Sequence, residues 1–314
     1  MSKVLIVDDI HPFLIETLSV KGFDCVDGST WDKTRYIEEI ANYEGLVVRT
    51  KIKVDKAFID KATNLKFLAR AGAGMENIDV AYAQSKGIVC LSSPEGNRDA
   101  VAEHCVAVMM AMMNNIVRAD KEVKLGHWRR DANWGIQLMG KTVGIIGYGF
   151  MGEAFANRLS GFGVQVLAHD KYKTGFSNDY VAESSLENIY AEADVVSLHL
   201  PLTEETHYYA NEAFFNAFKK PVFFINTARG KNVNTAALVA AMQTGKVRGA
   251  ALDVSEYEAF SFEDIDSNTL PEPFKYLAQN DDVILTPHIA GWTFEAYQKH
   301  SAVLVEKILK LYNI

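Results

Sequence analysis

Three short polar clusters stand out in the second half of the sequence, because each follows an apolar run of strand length. They are the segments 225–230 (INTARG), 251–258 (ALDVSEYE) and 285–291 (LTPHIAG). In open parallel sheets, ligands bind beyond the carboxyl ends of the strands. The clusters offer an arginine, several carboxylates and a histidine, and an imidazole titrates near neutral pH, which suits acid–base catalysis. We therefore expect a catalytic site where these strands end.

A glycine-rich segment at 141–152 (KTVGIIGYGFMG) carries the strongest local signal. Gly147, Gly149 and Gly152 form a G-x-G-x-x-G pattern between a strand candidate and a helix candidate. Glycines at these positions permit a tight turn and let the backbone approach a pyrophosphate. The next strand candidate ends at Asp170, whose carboxylate can accept hydrogen bonds from the ribose hydroxyls of NAD and repel the extra phosphate of NADP. The segment therefore predicts a dinucleotide site.

Two points about this segment stay open. Residues 171 and 173 are lysines, which leaves the strictness of NADP exclusion undecided. The other interpretation of the pattern is purely structural, a glycine turn with an aspartate that caps it.

The composition is that of a globular protein with extended cores. Hydrophobic residues make up 48% and charged residues 23% of the 314 residues, near the averages for globular domains. Acidic residues outnumber basic ones by 40 to 32, a net charge of −8, and without a basic run this disfavours a nucleic-acid partner. The longest clean apolar stretch, 106–113, is much shorter than a membrane span, and no signal-peptide pattern begins the sequence. Three cysteines without C-x-x-C spacing favour a reducing cytoplasm over a disulfide framework or a metal site.

Short apolar strand candidates alternate with helical patterns along almost the whole sequence, which is typical of parallel sheets covered by helices. The strand candidates are 4–7, 45–49, 66–69, 88–91, 142–146, 164–169, 195–198, 222–225, 249–252 and 283–285. The helix candidates of the first half are 12–20, 34–42, 55–62, 79–86 and one long helix over 99–125. We expect the helix 294–312 to pack back on the first domain. The segment 256–282 is expected to be a long irregular connection, of a kind that is often functional.

The order of these motifs resembles the D-2-hydroxyacid dehydrogenase family, which includes D-3-phosphoglycerate dehydrogenases. Further matches are 70–79 (RAGAGMENID), 101–104 (VAEH) and 200–203 (LPLT), so the resemblance covers nearly the whole chain. It implies an α/β fold of two doubly wound parallel-sheet domains. A Rossmann-type NAD-binding domain (99–286) would be inserted in a flavodoxin-like substrate-binding domain (1–98 and 287–314).

The resemblance also implies a role for the residues of the three clusters. His288 would be the general acid–base, which exchanges a proton with the substrate hydroxyl while a hydride passes between C2 and the nicotinamide ring. Glu258 would hold the imidazole, and Arg229 would bind the substrate carboxylate and polarise the C2 oxygen. The family usually has a proline after this glutamate whereas an alanine follows it here, so Glu256 stays open as the partner. The interval from the glutamate to the histidine exceeds the usual spacing, which predicts an enlarged loop at 259–280.

NAD would be the cofactor, and the chemistry needs no metal. By matching position, the nucleotide-binding residues would be Gly147, Gly149, Phe150, Met151, Gly152, Asp170, Leu200, Pro201, Thr206, Thr227, Ala228, Asp253, His288 and Gly291. Asp253 would hold the nicotinamide amide, and Leu200 with Pro201 would form the wall of the adenine pocket, unless this pair merely ends a strand. Five other histidines are expected to be structural or at the surface: His104, His127, His199, His207 and His300.

The substrate would be a small 2-hydroxy or 2-keto acid. By resemblance, its binding residues would be Arg49, Arg70, Gly72, Ala73, Gly74, Met75, Asn77 and Arg129. Backbone N–H groups of the glycine loop could nest a carboxylate, and the three arginines match basic positions that phosphoglycerate dehydrogenases use around the substrate phosphate. A phosphate dianion suits such clustering, which favours oxidation of 3-phospho-D-glycerate in serine biosynthesis. The alternatives are a hydroxypyruvate or glyoxylate reductase with the same triad, and a merely solvated charged face.

Partners and assembly follow from the same resemblance. The Met- and Ala-rich region within 99–125 would form the interface of a homodimer, in which Arg129 can reach the partner's site; a buried core helix is the alternative. Because the sequence ends with the helix 294–312, no C-terminal regulatory domain is expected. A different class stays open, NAD-sensing corepressors of the same fold, because fold does not fix function.

Overall fold

The computed structural model describes residues 1–258 and 270–314. The chain divides into two compact units: unit 1 comprises Met1–Arg98 and Trp292–Ile314, and unit 2 comprises Asp99–Gly291. Most of the predicted enlarged loop, 259–269, lies outside the described residues.

The described residues form twelve strands and twelve α-helices. The strands are β1 Lys3–Ile6, β2 Asp24–Asp27, β3 Gly45–Val48, β4 Phe67–Arg70, β5 Val89–Ser92, β6 Thr142–Ile146, β7 Gln165–His169, β8 Ala182–Glu183, β9 Val195–Leu198, β10 Val222–Asn226, β11 Val247–Leu252 and β12 Val283–Leu285. The helices are α1 Phe13–Val20, α2 Lys33–Glu39, α3 Lys56–Lys61, α4 Val80–Ser85, α5 Pro94–Met113, α6 Ile116–Lys124, α7 Phe150–Arg158, α8 Leu186–Glu192, α9 Glu212–Ala217, α10 Thr235–Gln243, α11 Glu272–Gln279 and α12 Phe294–Leu311. Short 3-10 turns are Ile40–Asn42, Asp131–Asn133, Leu159–Gly161 and Gly230–Asn232.

Unit 1 is a five-stranded parallel sheet in the order β2-β1-β3-β4-β5. Alternate residues of a strand point to opposite faces, and both faces are buried: Leu5 belongs to one apolar core, while Val4 and Ile6 belong to the other. Leu304 and Ile308 of α12 complete the second core. The strand order is that of flavodoxin-like folds.

Unit 2 is a seven-stranded parallel sheet in the order β12-β11-β10-β9-β6-β7-β8. Its first strand, β6, lies inside the sheet between β9 and β7, so the strand order reverses there. Nucleotides bind at such a switch point in Rossmann-type folds. The two parallel sheets with flanking helices confirm the predicted α/β class.

Two strands escaped prediction, and both lie at the edge of a sheet. The strand β2 (DCVD) has no fully buried residue, and β8 has two exposed residues. Side chains point to the two faces of a sheet, and those of β2 and β8 are only half-buried or exposed, so the apolar pattern that marks the central strands is missing.

Two predicted elements were wrong in their extent. The single helix over 99–125 is two helices, α5 and α6, which bend by 62° at a break where Asn115 adopts a left-handed backbone (φ 55°). The predicted irregular stretch 256–282 contains the helix α11, which begins directly after Pro271 and has Pro273 in its first turn. Within the described residues no single helix could cross a membrane; only the bent pair α5–α6 together has enough length and apolar content.

Candidate active site

Three adjacent strands of unit 2 bring the predicted catalytic residues to one edge of the sheet. The strands β10, β11 and β12 pair in parallel, and their carboxyl ends are followed by Arg229, Glu258 and His288, respectively. The carboxyl edge of an open parallel sheet is where ligands bind. The topology therefore collects an arginine, a carboxylate and an imidazole where a substrate can be held.

His288 and Glu258 form a close pair. The Nδ1 atom of His288 lies 3.3 Å from Oε2 of Glu258, and both side chains are roughly three-quarters buried. Glu256, the alternative partner, is directed elsewhere: its Oε2 accepts hydrogen bonds from the backbone N–H and the hydroxyl of Thr235, both at 2.8 Å. The structure thus sets Glu258, rather than Glu256, against the imidazole.

The backbone of His288 is held in an unusual conformation. Its φ of 57° is in the left-handed region, which costs free energy in a residue other than glycine and persists only where the surroundings impose it. Here its N–H donates to the carbonyl of Asp253 at 2.7 Å. The buried Asp253 carboxylate accepts from the N–H groups of Ile289 (2.9 Å) and Ala290 (2.8 Å) and from the hydroxyl of Thr286 (2.6 Å). This carboxylate fixes the segment that presents the imidazole.

A second histidine extends this network. Nε2 of His104, on α5, lies 3.3 Å from the Thr286 hydroxyl and 3.8 Å from the Asp253 carboxylate. A hydroxyl has one proton to donate, so a Thr286 that donates to Asp253 accepts from His104. The sequence suggested only a structural or surface role for His104 and none for Thr286. Their positions beside motif residues, in VAEH and LTPHIAG, were the available signal.

Arg229 is presented by a tight turn. The buried Asn226 at the end of β10 donates from Nδ2 to the carbonyl of Arg229 and accepts at Oδ1 from the N–H of Ala228, both at 3.0 Å. Gly230 permits the turn, because a Cβ there would lie 1.9 Å from the carbonyl oxygen of Ser255. The arginine is therefore anchored through its backbone by a buried amide.

The glycine loop after β6 fits a dinucleotide. Gly147 has a φ of +93°, and a Cβ on Gly152 would lie 2.0 Å from the Gly147 carbonyl oxygen. Gly149 has open space where a Cβ would lie. The helix α7 begins at Phe150 with no side-chain cap, so the N–H groups of its first turn suit a pyrophosphate.

Asp170, at the end of β7, is prepared as an acceptor. Its carboxylate accepts from the backbone N–H groups of Tyr148 (2.8 Å), Tyr172 (2.9 Å) and Lys173 (2.9 Å). Partial burial alone would raise the pKa of this carboxyl, but the three N–H donors outweigh it and lower the pKa below its ordinary value. The ionised form is the one that accepts ribose hydroxyls.

Other predicted nucleotide-binding residues lie in a loop after β9 that is held by hydrogen bonds. The carbonyl of Pro201 accepts from the hydroxyl of Thr206 at 2.5 Å and from Nδ2 of the buried Asn232 at 3.3 Å. The same amide donates to the carbonyl of Thr206 at 3.1 Å. Thr227 lies with its hydroxyl 3.2 Å from the sulfur of Cys105. Met151, Leu200 and Gly291 are half-buried and Ala228 is buried.

The predicted substrate residues of unit 1 gather beyond β3 and β4. The Nε of Arg70 donates to the carbonyl of Arg49 at 3.3 Å, and the amide of Asn77 donates to the same carbonyl at 3.1 Å. Asn77 is buried, and its amide also donates to the carbonyl of Ile52 at 3.2 Å, so it braces the backbone of this turn. The N–H groups of residues 49–51 all bond to the carboxylate of Asp8, so a buried acid that the sequence did not single out fixes this turn.

The loop at 70–79 is supported by a buried serine and histidine. The N–H of Gly72 donates to the Ser93 hydroxyl at 3.0 Å, so this one N–H of the loop is directed inward rather than offered to a ligand. Nδ1 of His300 lies 2.8 Å from the same hydroxyl and 2.9 Å from the Ser93 carbonyl. Burial lowers the pKa of His300 to about 4, and the nearby charges of Arg49 and Arg70 act in the same direction.

The three arginines expected at the substrate do not all lie in one unit. In unit 1 the Arg49 guanidinium carbon is 4.7 Å from the ring centroid of Trp292 and 6.0 Å from that of Tyr297. Arg129 belongs to unit 2, where it pairs with Glu122 at 3.6 Å. The contact of Arg49 with Trp292 was not predicted from the sequence.

Among residues 1–258 and 270–314, no group of histidine, cysteine and acidic side chains could hold a metal ion.

Comparisons with known proteins agree with this arrangement. Residues 106–290 match the family model described as D-isomer specific 2-hydroxyacid dehydrogenase, NAD binding domain. The chain is 36% identical over 311 residues to a D-3-phosphoglycerate dehydrogenase of Archaeoglobus fulgidus, which covers 98% of this chain and 57% of that protein. It is 38% identical over 281 residues to a hydroxypyruvate reductase of Thermotoga maritima, which covers 89% of this chain and 88% of that protein.

A solved structure shares the fold over nearly the whole length. The D-lactate dehydrogenase of Aquifex aeolicus, complexed with NAD and lactic acid, has a TM-score of 0.82 and 29% identity, covering 99% of this chain and 96% of that one. The chain spans little more than half, 57%, of the Archaeoglobus relative. The resemblance read from the motifs is confirmed, and the chain belongs to the D-isomer specific 2-hydroxyacid dehydrogenase family, with that family's NAD-binding domain.

Proposed function

We propose that the protein is an NAD-dependent D-2-hydroxyacid dehydrogenase. The observation that carries the proposal is the His288–Glu258 pair, which lies at the same sheet edge as Arg229 in the unit with the NAD-binding fold. NAD, when bound, supplies the acceptor for a hydride, and its reduced form supplies the donor. Gly147, Gly152 and Asp170 would hold it.

His288 moves the proton. Its Nδ1 faces Glu258, so Nε2 is the nitrogen that meets the substrate hydroxyl. In oxidation Nε2 takes the hydroxyl proton, the C2–H bond breaks with its electron pair leaving as hydride, and a C2 carbonyl forms; reduction reverses each transfer. Glu258 stabilises the imidazolium that results, because an opposite charge favours the protonated form of a histidine.

Arg229 orients the substrate. A guanidinium presents paired donors to a carboxylate, and the turn fixed by Asn226 positions the backbone from which it extends. It also polarises the C2 oxygen, so that developing negative charge there is stabilised during hydride transfer.

For the substrate we propose 3-phospho-D-glycerate, oxidised to 3-phosphohydroxypyruvate at the entry to serine synthesis. Arg49 directly follows β3, Arg70 is the last residue of the adjacent strand β4, and the Nε of Arg70 donates to the backbone carbonyl of Arg49. Two guanidinium groups at one place suit a phosphate dianion. The similarity to the Archaeoglobus D-3-phosphoglycerate dehydrogenase supports this choice.

Reduction of hydroxypyruvate or glyoxylate is the second candidate, and one contact favours it. The Arg49 guanidinium lies 4.7 Å from the ring centroid of Trp292, so its charge has an aromatic partner that does not depend on a substrate phosphate. The similarity to the Thermotoga hydroxypyruvate reductase extends over most of both chains.

Initial rates of NADH oxidation separate these candidates. Phosphohydroxypyruvate, hydroxypyruvate, glyoxylate and 2-ketoglutarate would be compared with the wild type, Arg49→Ala and Arg35→Ala. Arg35 is a matched control, since it also stacks on a tryptophan of unit 1, at 4.0 Å from the Trp31 ring. A charge-assisted hydrogen bond contributes about 1.5–3 kcal/mol, so Arg49→Ala should lower kcat/KM for the phosphorylated acid by about tenfold to a hundredfold.

Each outcome has a definite meaning. Preference for the phosphorylated acid that is lost in Arg49→Ala and kept in Arg35→Ala supports the serine-synthesis assignment. Equal or faster turnover of unphosphorylated acids refutes it and favours the reductase. No turnover of any acid, despite NADH binding, would contradict the dehydrogenase proposal and favour an NAD-sensing binding protein.

We further propose a homodimer. The Met-rich stretch at 106–113 does not supply a free interface, because Met109, Met112 and Met113 are packed in the core of unit 2. The following segment does: exposed apolar side chains there are Ile116, Val117, Val123, Leu125, Trp128 and Trp134. So many large apolar groups on a short segment are typical of a surface that a second copy covers.

The mass in solution tests this assembly. Light scattering of the wild type should give about twice the mass of the chain, and Leu125→Glu should shift the protein to the monomer without unfolding it, because a charge is tolerated at an exposed position. Ile314→Glu, an exposed apolar residue of unit 1, is the control. A wild type that is monomeric at micromolar concentration would contradict the proposal.

A further inference from the structure

The two lysines after Asp170 are engaged by acids from other segments. NADP differs from NAD by a 2′-phosphate, and in Rossmann-type sites a cation near the end of the second strand accommodates that phosphate. Lys171 and Lys173 stand at this place in the sequence. Taken alone, they would make the site tolerant of NADP.

Lys171 is bound by Glu205, which lies in the loop after β9. Its ammonium contacts Oε1 of Glu205, and the other oxygen, Oε2, accepts a hydrogen bond from the hydroxyl of Tyr172 at 2.8 Å. Both oxygens of one carboxylate are therefore used by the two residues that directly follow Asp170. The contact with this carboxylate raises the pKa of the Lys171 ammonium, which agrees with a formed ion pair.

Lys173 has an acidic partner as well. Its ammonium lies 3.2 Å from Oε2 of Glu153, in the first turn of α7, and 4.9 Å from the ring centroid of Tyr148. Its backbone N–H bonds to the Asp170 carboxylate. The turn that follows β7 thus carries two cations, and each is neutralised by an acid.

We propose that Glu205 is a specificity-determining residue for the cofactor, which binds Lys171 and so withholds this cation from the 2′-phosphate of NADP. Asp170 repels the phosphate directly, while Glu205 cancels the attraction that the neighbouring lysine would otherwise provide. The inference rests on the nucleotide site proposed above but not on which keto acid is the substrate.

Nucleotide binding in the absence of any keto acid tests the inference. Dissociation constants of NADH and NADPH would be measured by fluorescence titration for the wild type, Glu205→Gln, Lys171→Ala and the double variant. Glutamine preserves the shape and the bond to Tyr172 while removing the charge. Glu272→Gln is the matched control, since Glu272 is an exposed acid paired with Lys275 at 2.9 Å on α11.

The expected result is a change in the ratio of the two constants. An exposed ion pair contributes up to about 1 kcal/mol, so Glu205→Gln should tighten NADPH about threefold to fivefold, leave NADH nearly unchanged, and lose this gain when Lys171→Ala is added. The inference is overturned by a ratio that moves no more than in Glu272→Gln, or by a gain that survives in the double variant. If neither nucleotide binds the wild type, the nucleotide site itself is refuted.

Discussion

The buried imidazole of His300 is expected to make the stability of unit 1 depend on pH. The imidazole is buried, and burial lowers its pKa from the ordinary 6.5 to about 4. As the pH falls below 6.5, the unfolded chain takes up a proton that the folded protein still refuses. The free energy of unfolding therefore decreases as the pH falls from about 6.5 to about 4, and it is unaffected by this group above that range.

The loss of unfolding free energy on acidification can be estimated from the width of this pH interval. Each unit of pKa difference corresponds to about 1.36 kcal/mol, so the interval from 6.5 to about 4 corresponds to about 3 kcal/mol of stability lost on acidification. The protonated ring would also disturb Ser93, whose hydroxyl holds the N–H of Gly72 in the candidate substrate loop.

His300→Asn isolates this contribution. The asparagine Nδ2 can take the place of the imidazole Nδ1 and donate to Ser93, but it does not titrate. Urea unfolding at several pH values from 7.5 to about 4 should show a smaller loss of stability in the variant than in the wild type, by about 3 kcal/mol across the window. His207→Asn, at an exposed histidine, serves as the control and should follow the wild type.

The result that refutes the reasoning is a wild type and a His300→Asn variant with parallel stability curves between pH 6.5 and 4. Parallel curves would mean that the folded protein accepts the proton as readily as the unfolded chain does. A constant offset between the two parallel curves would not change that conclusion and would report the loss of the hydrogen bonds to Ser93.

Three further outcomes are expected. Thr286→Val removes a donor to the buried Asp253 carboxylate and should lower the free energy of unfolding by about 2 kcal/mol, read from urea midpoints; an unchanged midpoint would contradict the network. Gly152→Ala places a methyl 2.0 Å from the Gly147 carbonyl oxygen and should weaken NADH binding more than about tenfold, whereas normal binding with a native circular dichroism spectrum would contradict the packing. Glu258→Gln should lower kcat about a hundredfold with NADH affinity unchanged, and an unaltered kcat would show that another group supports the imidazole.

Much of the fold could be predicted from local patterns in the sequence. Central strands such as β6 and β9 are continuous apolar runs because both faces of their sheet are covered, and that burial is visible in the sequence. The polar edge strand β2 lacks such a run. The break at Asn115 interrupts no apolar pattern strongly enough to be seen, since a single left-handed residue is enough to redirect a helix.

The candidate site likewise contains residues that the sequence predicts and residues that it does not. The glycine loop and Asp170 are predictable because their function depends on neighbours in sequence. Thr286 and His104 are 182 positions apart, and only the folded sheet brings them together. Likewise, sequence could not choose between Glu256 and Glu258, because the decision depends on which of them Thr235 binds.

The core of unit 1 also bears on how the protein is made. One of its two apolar cores is completed by Leu304, Val305 and Ile308 of α12, although its strands all precede residue 93. During synthesis these strands leave the ribosome long before the helix that covers them, while unit 2 emerges in between and can fold as a unit. Until α12 is made, the nascent chain therefore exposes the part of this sheet face that Leu14 and Leu18 of α1 do not cover, an apolar surface of the kind that chaperones bind.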